Sequence, residues 1–445
     1  MHALVLALTL LGADADARWP GFLGAGSGTV SPESIPSEWA PNKNIAWQVT
    51  TEGHGQSSPV VWGNVVVVSS VDGDMKQTNI VTAVELSSGK VLWVDKSDSS
   101  DPVKNSLYVS RAAPTPVADA DGVVVYFESG DVRAYDWEGK VRWNRSLSGE
   151  FGKFKNKFGL SASPVQSATT VIILVDDEGP SYLISLKKSD GTTHWKVDRT
   201  SRVSWSSPAL VPVQRQQYVV CSSAGSVDGY EVASGEKAFS YDEVGGNTAA
   251  TPMPFGEGRF LVAASPGRDG GERVELSKQS NFAMQLELDQ GKVTSKILWK
   301  TEEATPTFGS PMVYEGYAYW VNRVGVVYCF DVATGEKKYA ERIKQSVWAT
   351  PVGLGDRVYF FGKDGTTTVL AKGPEFKVLS ENQLWDPEAI KPDPAKAAAE
   401  ETPERRAAAA NFAGRTQYGV AVTPGRLLIR TGEVLYCVAA ENKQP

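Results

Sequence analysis

The sequence predicts an all-β fold, an eight-bladed β-propeller of four-stranded antiparallel blades. Three observations predict it. A strand–turn–strand pattern recurs, as "AVELSSGKVLW" from Ala83, "GYEVASGEKAFS" from Gly229 and "CFDVATGEKKYA" from Cys329. A small residue and Pro open a β-rich run seven times along the chain. A large aromatic follows the turn glycine by four residues in five of the copies. Units of roughly 40–60 residues suit one propeller blade each.

The small-residue–Pro pairs are Ser58-Pro59, Ala113-Pro114, Ser163-Pro164, Ser207-Pro208, Thr251-Pro252, Ser310-Pro311 and Thr350-Pro351. Pro is tolerated at the first position of a strand, where no amide donor is needed. A turn and a second apolar strand follow, for example "VVVVSS", "VIILVDD" and "VYFFGK". The third strand then enters the recurring turn. Asp331, Glu85 and Glu231, with Thr334, Ser88 and Ser234, can accept bonds from turn amides. Gly89, Gly139, Gly191, Gly235, Gly291 and Gly335 supply positive φ there.

Trp93, Trp143, Trp195, Phe239 and Tyr339 stand four residues beyond, and Trp299 follows a hairpin longer by four. An aromatic once per blade can dock on the next blade. Such a ring buries about 150–250 Å², worth at most roughly 4–6 kcal/mol. "NIAWQV" carries Trp47 ahead of the first Ser-Pro, and the C-terminal "YGVAVTPGRLLIRTGEVLYCVA" offers three strands without an aromatic of its own. The Trp47 strand is therefore expected to complete the last blade and hide its edge. Residues 386–414 interrupt the repeats between blades 7 and 8. Thr402 reads as a helix N-cap, Pro403 as the first helical residue and Gly414 as a stop. A solvated helical insertion on one face is expected.

The start, with an apolar run from Ala3 to Leu11 and then Ala13-Asp14-Ala15-Asp16-Ala17, resembles a secretory signal peptide over residues 1–17. The domain then covers 18–445, and the expected location is periplasmic or secreted. No later apolar run is long enough to cross a bilayer as a helix. Net charge is −7, against sequence-blind nucleic-acid binding. Cys221, Cys329 and Cys437 are dispersed and lie in apolar strand-like runs, as buried thiols do.

The spacing Ala83-x-Glu85-x-x-Ser88-Gly89-x-x-x-Trp93 resembles the tryptophan-docking repeat of pyrroloquinoline-quinone-type propellers, A-x-D-x-x-T-G-x-x-x-W. Cys329, Asp331, Thr334, Gly335 and Tyr339 form a second copy; Ala134, Asp136, Gly139 and Trp143 form a shortened one. "RWPGFLGAGSGTV" and "GQSSPVVWGN" look like the start of exported bacterial quinoprotein-like propellers, and "LYCVA" like their close. The resemblance implies the fold over residues 18–443 and two branches of function. One is dehydrogenases that hold the quinone (PQQ) on Ca²⁺ and oxidise alcohols or sugars. The other is non-catalytic scaffolds such as the BamB-type outer-membrane assembly lipoprotein. The vicinal Cys-Cys of the alcohol dehydrogenases is absent here. No Cys follows the N-terminal apolar run to take a lipid anchor.

Residues three places before each strand-opening Pro should ring the channel mouth: Gln56, Arg111, Ser161, Trp205, Ala249, Phe308 and Trp348, with Gln417 in the last blade. Aromatic faces with a few donors suit a planar or sugar-like ligand, and Arg111 could hold a carboxylate bidentately. The alternative is ordinary loop residues over a plugged channel. His54 lies near the same mouth; His194 reads as surface. Asp72-Gly73-Asp74 and Asp176-Asp177-Glu178 read as turns rather than calcium loops. No catalytic residue and no metal ligand is assigned. The expected function is a monomeric, non-catalytic scaffold binding a protein, glycan or small molecule at one face, without a cofactor. A PQQ-dependent dehydrogenase with an atypical site and a BamB-like assembly factor are the alternatives.

Overall fold

The computed structural model describes residues 17–24, 35–265, 272–391, 400, 402–409 and 413–440. The expected signal sequence up to Asp16 lies outside them, as do parts of the 386–414 insertion. No described helix is long and apolar enough to cross a membrane.

The described strands fall into six separate four-stranded antiparallel sheets and one nine-stranded sheet. The large sheet joins two more four-strand sets and a short N-terminal strand, Arg18–Trp19. Blade 1 is Val60–Trp62, Val65–Asp72, Thr78–Glu85 and Val91–Asp98. Blades 2 to 7 open at Val117–Asp119, Val165–Gln166, Ala209–Val213, Met253–Pro254, Met312–Tyr314 and Val352–Leu354. Blade 8 is Gly419–Thr423, Arg426–Arg430 and Gly432–Val438, completed by Ile45–Gly55 from the other end of the chain. Trp47 pairs with Cys437 across that junction, and the ladder runs to Thr50 opposite Val434, with Gly55 opposite Gly432 beyond a break in register.

Two sets of contacts join blade to blade. The first is the aromatic. Trp143 Nε1 donates to Lys188 O at 2.8 Å, in the next blade. Trp47, Trp93, Trp195 and Trp299 do the same to Leu86, Trp137, Val232 and Val332. Each indole lies on the turn glycine of that next blade. A Cβ on Gly191 would fall 2.5 Å from the Trp143 ring, and Gly191 holds φ +73°. Glycine is thus required twice over, by space and by backbone. Phe239 and Tyr339 have no such N–H. Phe239 packs in a core with Phe260 and Met284, and Tyr339 meets Phe376 edge-on at 5.5 Å.

The second set is a polar collar at the start of the innermost strands. Ser58 N–H donates to Thr115 Oγ1, Thr115 N–H to Ser163 Oγ, and Ser163 N–H to Ser207 Oγ. Ser207, Thr251 and Ser310 continue it to Thr251, Ser310 and Thr350, all between 2.8 and 3.1 Å. Thr115-Pro116 therefore opens blade 2. The Ala113-Pro114 pair expected from the sequence sits two residues too early. The collar stops at Gly419 in blade 8, where a Cβ would come within 2.3 Å of Ser58 Oγ.

Blade 7 departs from the pattern. Its outermost strand, Val378–Gln383, carries Ser380 opposite Val369, where the other blades place the aromatic. Trp39 fills this seam instead. It is 3% exposed, stacks on Tyr359 at 6.3 Å, and its amide donates to Asn382 Oδ1.

Replacing Trp143 by Ala should cost about 3–5 kcal/mol, the usual price of a large buried truncation. Urea denaturation measures it, and a loss below about 1 kcal/mol would refute the docking role.

Candidate functional site: the channel mouth

The first strands run from the collar at one end of the channel to a turn at the other. Segments outside the blades are bonded at both ends. At the far end, Arg18–Trp19 pairs with the first strand of blade 1, Arg18 opposite Trp62. Ala17 O accepts Gly63 N–H, and Pro20 O accepts Ala118 N–H and Gln166 Nε2–H from blades 2 and 3. At the collar end, the helix Pro403–Ala409 belongs to the 386–414 insertion. Thr402 Oγ1 caps it by accepting Arg405 N–H. Glu400, buried, accepts Leu107 N–H at 2.8 Å, and Tyr108 OH donates to Arg405 O. Residues between blades 7 and 8 thus bond to the loop between blades 1 and 2. The insertion reaches past blades 8 and 1 and is bonded to the ring there, while Thr402, Pro403, Arg406 and Ala407 stay exposed, as expected of a solvated helix.

The residues expected at the mouth form pairs across neighbouring blades rather than one pocket. Gln56 N–H donates to Arg111 O, and Arg111 N–H donates to Gln56 Oε1 at 2.9 Å. Ser161 Oγ–H donates to Trp205 O, and Trp205 Nε1–H to Gly159 O. Phe308 and Trp348 lie 4.8 Å apart, with the Lys363 ammonium 4.1 Å over the Trp348 ring. Burial pulls the Lys363 amine below its ordinary pKa. Gln417 is fully buried, its Nε2 spent on Gly362 O and Thr366 O. His54 lies at the seam of blades 8 and 1, edge-on to Tyr418 at 5.8 Å. His194 is exposed and its Nε2 meets Ala233 O.

Arg111 differs from the rest. It is 7% exposed, and among the described residues its guanidinium has no hydrogen bond or ion pair. The shift of register in blade 2 puts Ala113, not Arg111, at the position matching Gln56. Arg111 reaches the mouth from further back in the loop.

Several polar groups escaped the sequence reading. Arg430 is fully buried between blades 8 and 1, where its Nη2 donates to Ser70 Oγ. Burial pushes its guanidinium down to about 9. Lys76 and Glu128 form a buried pair at 2.9 Å. Arg199 holds Asp176 at 3.1 Å and Asp228 at 3.3 Å across the seam of blades 3 and 4. Asp177 accepts the amides of Lys155, Asn156 and Gly179, so the acidic run at 176–178 organises loops. No pattern in a single strand announces the Lys76–Glu128, Arg199–Asp228 and Arg430–Ser70 contacts, because their partners come from different blades. Among the described residues no three His, Cys, Asp or Glu side chains converge as a metal site would require.

Burial alone would raise the Asp228 pKa, but bonds from Lys237 and Ser240 and the Arg199 charge hold it below the ordinary value. A depressed carboxyl stabilises the fold above the unfolded-state pKa, near 4, and the effect fades as pH falls through the folded value. Asp228→Asn should therefore lower stability at pH 7 and flatten the loss of stability below about pH 4. Thermal melts at stepped pH test this; an unchanged acid limb would contradict it.

Comparison with known proteins follows the fold. A family profile described as outer membrane protein assembly factor BamB, built on PQQ-type repeats, matches residues 39–153, 154–371 and 286–435. The outer membrane protein assembly factor BamB of Moranella endobia (strain PCIT) is 23% identical over 229 residues. That match covers 50% of this chain and 53% of the relative, so the chain spans about half the length of the curated relative it matches. Among solved structures, BamB from Moraxella catarrhalis superposes with a TM-score of 0.57 at 14% identity, over 90% of this chain and 98% of that one. Quinohemoprotein alcohol dehydrogenase from Comamonas testosteroni gives 0.57 at 11% identity, over 97% and 82%. At these identities the two structures speak for the propeller fold. The family profile runs through nearly the whole ring, and the chain belongs to the PQQ-repeat family of outer membrane protein assembly factor BamB.

Proposed function

We propose that the protein is an exported, non-catalytic propeller scaffold that docks another protein, as a factor in outer-membrane protein assembly. One observation carries this reading. The family profile of an outer membrane protein assembly factor runs through nearly the whole ring, and segments outside the blades are bonded at both of its ends, residues 17–20 to blades 1 to 3 and the insertion to the loop between blades 1 and 2. The mouth supports the reading further. Gln56 Oε1 and Gln417 Nε2 bond to neighbouring blades, and the three cysteines lie buried on separate blades. The reading requires neither a quinone nor calcium. The periplasm is the compartment such a role implies.

The experiment is affinity purification of the tagged full chain from its own bacterium after mild cross-linking. The reading predicts recovery of components of the β-barrel assembly machinery. Purified protein mixed with PQQ and Ca²⁺ should show no bound-quinone absorbance and no dye reduction with alcohols or sugars. Quinone-dependent turnover without any assembly partner would overturn it in favour of a dehydrogenase.

A further inference from the structure

The seam between blades 7 and 8 holds an open cleft of about 450 Å³. It lies apart from the channel mouth. One wall is the N-terminal strand, through Ile45, Gln48 and Thr50; the other is the end of blade 7, through Trp385, and the start of the insertion, through Ile390. Arg415, Val434 and Tyr436 complete the lining. The sequence explains why a cleft occurs at this seam. Ser380 stands where a docking aromatic would project from blade 7, and the substitute, Trp39, is buried in the seam's core without lining the cleft. A volume of this size lies within the range of small-ligand sites, about 300–1,000 Å³.

The chemistry of the lining is asymmetric. Arg415 Nη1 donates to Tyr436 OH at 2.6 Å, and the guanidinium sits 5.8 Å over the Trp385 ring. Among the described residues no carboxylate pairs with Arg415. Asp386, on the same rim, has its Oδ1 on Glu388 N–H. Tyr436 is buried, and burial raises its phenol above the ordinary value, against the pull of Arg415. Its hydroxyl keeps its proton and can donate outward while accepting from Arg415. Ile45, Ile390 and Val434 give an apolar surface beside this cation. A planar guanidinium with free donors is matched best by a carboxylate, in two parallel hydrogen bonds.

We propose that this cleft binds a carboxylate attached to an apolar body, with the carboxylate on Arg415 and Tyr436 and the body against Ile45, Ile390 and Val434. The C-terminal residue of a polypeptide and a free small acid both present this chemistry. Calorimetric titration of the full chain separates them. The probes are N-acetylleucine, N-acetylleucinamide and a ten-residue peptide ending in a free leucine carboxylate.

N-acetylleucine should bind saturably, and the amide at least tenfold more weakly. Arg415→Gln should weaken binding of the acid at least tenfold with an unchanged melting temperature. If that variant melts early, Thr50→Trp, at an exposed position of the strand that walls the cleft, should abolish binding by filling it. A peptide at least tenfold tighter than N-acetylleucine assigns the cleft to chain ends; equal affinity assigns it to small acids. Equal binding of acid and amide, no saturable binding of the acid, or undiminished binding by both variants would overturn the proposal.

Discussion

An indole laid flat on a neighbouring blade's turn glycine, with its N–H on a carbonyl beside it, is the contact on which this fold depends. A four-stranded blade has two faces and can cover neither alone. The ring solves this only if each blade reaches the next at a fixed height. The backbone arranges that reach. In all eight outermost strands the register slips by one residue just before the aromatic position, from Ile45/Trp47 in blade 8 to Val378/Ser380 in blade 7. Such a bulge re-aims a side chain and also blunts an exposed edge against unwanted pairing. One device therefore serves both docking and solubility.

The collar of Ser and Thr hydroxyls fixes the inner radius as the indoles fix the outer packing. Each buried N–H there has one partner, and a lost partner leaves an unsatisfied donor at about 1–3 kcal/mol. Both systems fail in the same region. The collar ends at Gly419, and blade 7 lacks its aromatic. The N-terminal segment repairs both seams of blade 8, with Trp39 toward blade 7 and Trp47 toward blade 1. The chain's two ends are thus part of one closure, with the open cleft at the seam the repeat does not serve.

Much of this was legible in the sequence because repeats multiply a weak signal. Gly89 and Trp93 mean little alone and a great deal when Gly139–Trp143 and Gly191–Trp195 repeat them. The Trp47 strand could be assigned to the last blade because that blade lacked a fourth strand. Blade 2 was misread by two residues since "AAPTP" contains two small-residue–Pro pairs, and only the bond from Ser58 to Thr115 chooses between them. Trp39 was invisible because its segment has neither strand pattern nor turn, and its pocket is made by residues more than three hundred positions away. The candidate mouth was legible as a set of positions but not as a set of uses. Whether Gln417 or Gln56 is free for a ligand depends on the blade next door.

The account makes closure cooperative: the last blade, the first turn and the ring stand or fall together through Trp47. Hydrogen exchange on a Trp47→Ala variant tests this most directly. The account predicts that amides of strand Gly432–Val438 in blade 8 and of the turn near Gly89 in blade 1 lose protection together. Loss confined to the strand Ile45–Gly55, with both neighbours still protected, would contradict it.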